Sequence, residues 1–155
     1  MKLYQIKWKQ ILPMTLDESW DFFSDPRNLP KITPPSLNLK ITSDLPEKMY
    51  QGMIITYKVH PFLGIPSIWV TEITQVKDKR FFIDEQRLGP YKFWHHQHHF
   101  KEIDEGIEMT DIVNYALPLD PLSRPLNSLL VGTKVEKIFE YRKEVLSDYF
   151  FKSVL

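Results

Sequence analysis

No cysteine occurs among the 155 residues, which removes disulfides, thiolate catalysis and cysteine-ligated zinc. There is no charge excess either: 20 basic and 20 acidic side chains cancel, so composition points to neither nucleic acid nor an acidic membrane surface. No apolar run approaches the roughly 20 residues of a membrane span. The segment Met1-Lys2-Leu3-Tyr4-Gln5-Ile6-Lys7-Trp8-Lys9 alternates with charge, where a secretory leader carries an apolar block. Phosphate loops, dinucleotide fingerprints and nucleophile motifs are missing, so no cofactor is assigned. Internal repeats, low-complexity tracts and linkers are missing too. The expectation is a cytoplasmic protein that forms one domain over 1–155.

Aromatic residues are plentiful at 14%, compatible with a lined pocket as well as a filled core. Alternation over Tyr4 to Leu12 predicts a first strand. Thr15-Leu16-Asp17-Glu18 is a capping box, hydroxyl and carboxylate each accepting from the other's backbone donor. Leu16, Trp20 and Phe23 then share one helical face. Asp25-Pro26 reads as a second cap, and Thr33-Pro34-Pro35 ends that second short helix. Strands are expected at Leu37 to Thr42, Gly52 to His60, Ser67 to Val76 and Arg80 to Arg87. Residues 61–66, bounded by Pro61 and Pro66, read as an apolar loop; Phe62, Leu63 and Ile65 there want a partner, which leaves a homodimer open. From about Leu126, the residues Val131, Val135, Ile138, Arg142, Val145 and Tyr149 make one stripe of a long helix. Gly132 sits inside it.

The chain is organised around Asp84 to Phe100, where four of the five histidines lie. It reads as a strand end, a turn at Gly89-Pro90 and a long second strand. Trp94, His96, His98 and Phe100 share one face of that strand; His95, Gln97 and His99 share the other and read as solvated surface. An even-numbered loop at Gly89-Pro90 sets Phe81, Ile83 and Glu85 beside the first row. A second even loop after Phe100 adds Met109, Asp111, Val113 and Tyr115 from a strand over Ile107 to Leu117. The resulting face is mostly apolar and is the expected interior. An odd loop would reverse a strand relative to its neighbour.

His96 and His98 then project to one side about 6.5–7 Å apart, a spacing two metal ligands can use. Asp111 or Glu85 could supply a third. A closed zinc site usually wants four ligands, so no metal is assigned. A carboxylate beside an imidazole in an apolar setting can instead move protons, or the groups simply satisfy one another. Arg142, on the helical stripe, could pair with an interior carboxylate, meet an anionic group or lie at the helix edge.

The order is strand, two short helices, six strands and one long helix. It resembles the helix-grip fold of START and Bet v 1-like proteins, a superfamily that includes polyketide cyclases and hydrophobic-ligand carriers. The nearer resemblance is to bacterial SRPBCC ligand-binding proteins. It is carried by Phe22-Phe23-Ser24-Asp25-Pro26-Arg27-Asn28-Leu29 through Thr33-Pro34-Pro35, Phe82-Ile83-Asp84-Glu85-Gln86, Gly89-Pro90-Tyr91, Trp94 to Phe100, Asp111 to Tyr115, Leu117-Pro118 and Ile138-Phe139-Glu140-Tyr141-Arg142. The implied α+β architecture is a seven-stranded curved antiparallel sheet wrapped around a long C-terminal helix. Two short helices fall between its first and second strands, and a cavity lies between sheet and helix. This fold hosts carriers, receptors and enzymes alike. The expected function is binding of a small hydrophobic or amphipathic molecule, as a carrier, sensor or sequestering protein. Phe81, Ile83, Trp94, Phe100, Met109, Tyr115, Val135 and Phe139 would supply apolar contact. Glu85, His96, His98 and Asp111 would orient the polar end. The alternative is a cyclase-, dehydratase- or hydrolase-like enzyme using those same four polar residues. Nucleic-acid binding and membrane insertion are not expected.

Overall fold

The computed structural model describes residues 1–62, 64–119, 122, 125 and 131–151, with the side chains of Phe62, Tyr149, Phe150 and Phe151 excepted. The chain runs β1 (Tyr4–Leu12), α1 (Leu16–Phe23), two 3₁₀ segments (Pro26–Ile32 and Pro35–Leu37) and β2 (Lys40–Ile41). It continues as β3 (Ile54–Phe62), β4 (Ile65–Lys77), β5 (Phe81–Leu88), β6 (Phe93–Ile103), β7 (Gly106–Ala116) and α2 (Gly132–Phe151). The strands form one seven-stranded sheet in the order β1-β7-β6-β5-β4-β3-β2. Every neighbouring pair is antiparallel. The α+β helix-grip architecture expected from the sequence is therefore present, with a curved sheet against the C-terminal helix. No helix among the described residues is long and apolar enough to cross a membrane.

Local chemistry accounts for the ends of the elements. At α1, Thr15 Oγ1 accepts from the Glu18 amide at 3.2 Å while Glu18 Oε2 accepts from the Thr15 amide at 2.8 Å, completing the capping box. Asp25 caps the next segment by accepting from the Arg27 amide at 3.0 Å, but the turn that follows is 3₁₀ with Pro30 inside it. The strand expected from Leu37 shrinks to Lys40–Ile41, because Pro35–Leu37 is helical and Asn38 adopts φ 42°.

Residues 61–66 form a tight hairpin rather than a loop: β3 runs to Phe62 and β4 begins at Ile65, with Gly64 at φ 71° in the turn. The β3–β4 register shifts between Val59 and Phe62, and such a bulge is where a sheet tolerates Pro61, which has no amide to donate. Leu63 lies outside the described residues, while Ile65 and Ile68 are exposed. Two further register shifts lie in β4, at Val70/Thr71 and Ile73/Gln75, where bulges bend a strand and increase its twist.

Three apolar clusters fill the concave side. One joins Trp20 of α1 to Phe82, Phe100, Met109 and Leu146; a second joins Val113 and Tyr115 to Val131, Val135 and Phe139. The third, around Ile55, Tyr57 and Ile73, fills the β3–β4 end. The buried stripe of α2 is Val135, Phe139, Arg142 and Leu146, with Ile138 and Val145 at its margins. The expected start near Leu126 and the Tyr149 side chain lie outside the described residues, and Gly132 stands at the first residue of α2 as described.

A candidate ligand cavity with one charged wall

Between the concave face, α2 and the short helical segments lies a cavity of about 190 Å³. An apolar cavity of roughly 150 Å³ accepts benzene, so a space of this size suits a small organic molecule. Trp69, Tyr91 and Trp94 form an aromatic end, with ring centroids 5.3 Å apart for Trp69–Trp94 and 4.8 Å for Tyr91–Trp94. Val135, Ile138 and Phe139 close the α2 side, and Leu29 and Ile32 contribute from the 3₁₀ segment. One wall gathers the ionisable cluster Asp84, His96, His98 and Arg142, while Asp25, Asn28, Thr33, Thr71 and Lys134 are polar members elsewhere in the lining.

Register builds that wall. Alternation along β6 turns His96 and His98 inward together. β5 sets Asp84 directly opposite His96, and β7 sets Asp111 directly opposite His98. Each carboxylate also reaches the other imidazole across the diagonal. His96 Nε2 lies 2.9 Å from Asp111 Oδ1, and His96 Nδ1 lies 3.5 Å from Asp84 Oδ2. His98 Nε2 lies 2.8 Å from Asp84 Oδ2, and its Nδ1 lies 2.9 Å from Asp111 Oδ1. That last pair is in ion-pair range but out of line for a hydrogen bond. Arg142 Nη1 stands 3.9 Å from Asp111 Oδ1.

Aromatic rings fix the imidazoles. His98 stacks on Phe82 at 4.1 Å, His96 meets Phe139 edge-on at 5.9 Å, and the two imidazole centroids are 3.8 Å apart. The Arg142 guanidinium carbon lies 5.2 Å from the Phe139 ring centre, a cation–π contact.

Burial dominates the electrostatics of every member. It pushes the Asp84 and Asp111 carboxyls up, yet the facing imidazoles outweigh it and hold both below the usual carboxylate range. His96 is held below the ordinary imidazole value by burial and by His98, against the pull of both carboxylates. For His98 the two facing carboxylates, Asp111 and Asp84, together overcome burial, so its value is raised. Burial lowers Arg142, partly countered by Asp111 and Asp84.

Five of the twelve residues expected at the site border the cavity: Trp94, His96, His98, Val135 and Phe139. Phe100, Met109, Asp111 and Tyr115 share the concave face, as expected, but are packed behind it in the core. Phe81, Ile83 and Glu85 require a correction. The β5–β6 register pairs Phe81 with His99, Ile83 with Gln97 and Glu85 with His95, so these three belong to the outer row. The physical reason is an odd connection centred on Pro90. There the Gln86 amide group hydrogen-bonds both the amide and the carbonyl of Tyr91, at 3.2 and 2.7 Å. The turn thereby gains a residue of slack, which reverses β5 relative to β6.

Phe82 and Asp84 take the inner places instead. Glu85 contacts His95 and Arg87 on the outer face, where His95 and His99 are half-buried and joined through Gln97 rather than simply solvated. Sequence reasoning also missed Tyr57, Trp69 and Tyr91. Tyr57 and Trp69 are a cross-strand pair on β3–β4, separated from β5 by register shifts in β4 that alternation alone does not reveal.

The fold has many solved counterparts at low sequence identity. Ginseng major latex-like protein 151 from Panax ginseng superimposes with TM-score 0.69 at 14% identity, covering 96% of this chain and 97% of that one. Ara h 8.0201 gives 0.65 at 13%, covering 95% and 99%. Protein Ms6760 from Mycobacterium smegmatis gives 0.66 at 16%, covering 92% and 90%. The chain therefore has the SRPBCC/Bet v 1-like fold, in agreement with the resemblance read from its sequence. No protein-family model matches the sequence, and no curated protein matches it.

Proposed function

We propose that the protein binds a small, largely apolar organic molecule with one polar end in the cavity between its sheet and α2. The observation that carries this reading is the make-up of the lining: mainly aromatic and aliphatic groups, with Asp84, His96, His98 and Arg142 clustered on one wall and a few further polar residues, Asp25 and Lys134 among them. Such a lining holds a ligand by burial and orients it through a few polar contacts. Binding would serve a carrier, sensor or sequestering role. Fluorescence titration with the apolar probe 1-anilinonaphthalene-8-sulfonate tests it. The native protein is expected to bind one equivalent, and a Leu29→Trp variant, which fills the cavity, to bind at least about tenfold more weakly at unchanged circular dichroism. Equal binding by the two proteins would place the probe elsewhere and defeat the reading.

A catalytic use of the same cavity is favoured by one observation, the imidazole–carboxylate pair His98–Asp84 on its wall. The proton carriers would then be Asp84, His96 and His98, because Glu85 faces away. Asp84→Asn would be expected to retain probe binding and lose turnover.

A further inference from the structure

We propose that Asp84 Oδ2, His96 Nδ1 and His98 Nε2 form a three-donor site for a divalent transition-metal cation, with Asp111 behind it holding both imidazoles in position. One donor atom from each of Asp84, His96 and His98 lies within 4.8 Å of the other two. Asp84 Oδ2 is 3.5 Å from His96 Nδ1 and 2.8 Å from His98 Nε2. Bonds of about 2.0–2.2 Å place neighbouring donors around a tetrahedral ion roughly 3.3 Å apart, and the two observed distances bracket that value.

The far side of each ring points to the same conclusion. His96 Nε2 and His98 Nδ1 both lie 2.9 Å from one oxygen, Asp111 Oδ1. An imidazole that gives its N–H to a carboxylate offers its other nitrogen as a lone pair, the arrangement found behind metal-bound histidines. Here Asp111 takes the hydrogen bond of His96, whose Nδ1 faces Asp84, while His98 Nε2 hydrogen-bonds Asp84 itself, so a cation at that point would take the place of the proton between them. With neutral imidazoles the two carboxylates and Arg142 leave one net negative charge in a buried setting, which a cation would offset.

Three of the five buried side-chain polar atoms that lack a partner among the described residues belong to this cluster: His98 Nδ1, Asp111 Oδ2 and Arg142 Nε. Buried polar groups are rarely left so. Asp84, His96 and His98 border the cavity whereas Asp111 does not, which puts the ion on the Asp84 side with an open coordination position facing the cavity. Two imidazoles and one carboxylate suit zinc, iron(II) or cobalt(II). Calcium and magnesium prefer all-oxygen shells, and copper(I) prefers sulfur.

An open position there would favour cavity occupants that end in an oxygen donor, a step that rests on the ligand reading. The two are separable: Leu29→Trp plugs the cavity without touching the donors, and a metal titration needs no ligand.

Untagged protein, stripped with chelator and titrated with Zn²⁺ by calorimetry, is expected to bind one equivalent. Asp84→Asn should weaken that binding by at least about 100-fold and Asp111→Asn by roughly 10–100-fold. A His95→Ala/His99→Ala double variant, altered only on the outer face, should leave it unchanged. X-ray absorption of the zinc-loaded native protein should show two imidazoles and one carboxylate oxygen, and decides the matter without variants if Asp84→Asn fails to fold. Absence of saturable binding, survival of binding in Asp84→Asn, its loss in the outer-face double variant, or a spectrum lacking the two imidazoles would each overturn the proposal.

Discussion

Strand β6 carries two histidine pairs, one on each face, and the same chemistry takes two different forms. Inside, His96 and His98 are clasped between Asp84 and Asp111 with Arg142 behind. Outside, His95 meets Glu85, which also takes Arg87, and Gln97 links His95 to His99. The inner carboxylate Asp111 is 1% exposed, whereas Glu85 and Arg87 keep 26% and 47% of their side chains in solvent. Water can therefore replace any partner lost from the outer set. Asp111 has no such recourse, and Asp84 has only the cavity beside it, so the inner geometry depends far more on its own partners.

The harshest test removes the difference between the faces. Deleting Pro90 would make the β5–β6 connection even and drive Phe81, Ile83 and Glu85 inward in place of Phe82 and Asp84. The expected cost exceeds about 4 kcal/mol, read as loss of a cooperative urea transition. A variant that melted normally would show that the strand keeps its register whatever the turn. Next, Asp111→Ala leaves two imidazoles and a guanidinium buried without their shared carboxylate, an expected loss of about 3–5 kcal/mol in urea unfolding. Asp84→Asn is milder, because an amide can still accept from His98 and the site borders the cavity. A charge-assisted hydrogen bond is weakened rather than deleted, for an expected loss of about 1.5–3 kcal/mol.

The same parity explains how far the sequence could be read. The β6–β7 register was legible because a two-residue turn ends at Gly106, φ 125°, where a side chain would collide with the Leu12 carbonyl. His96, His98 and Asp111 therefore fell together on the concave face from alternation alone. The β5–β6 turn was not legible. Its odd length depends on the Gln86 side chain standing in for a backbone partner of Tyr91, and no period in the sequence encodes that. One misjudged residue placed Glu85 in the interior and hid Asp84, the carboxylate that completes the inner cluster. The α2 stripe shows a smaller error of the same kind: Phe139 is buried as expected, but the expected stripe runs through Ile138 and Val145, which lie at the margins of the buried one, while Leu146 is the residue most deeply buried beside Arg142. Helical neighbours one position apart differ by about 100°, too little for pattern to separate them.

The smallest effect is expected from Glu85→Gln, and it is the sharpest comparison, since Glu85 adjoins Asp84 in the chain. The substitution keeps size and an accepting oxygen and removes only charge. Glu85 pairs with Arg87 at 3.0 Å and His95 at 2.9 Å, but Arg87 also holds Glu72, so the guanidinium keeps one carboxylate partner. Exposed pairs of this kind contribute about 0–1 kcal/mol. The expected loss lies in that range and should fade as salt is raised toward 1 M, where the screening length falls to about 3 Å. The Asp84→Asn loss should persist under the same salt, because its partners are enclosed. Equal losses and equal salt responses for the two variants would mean that the faces of β6 are electrostatically alike, and that the inner cluster is wetter than its burial implies.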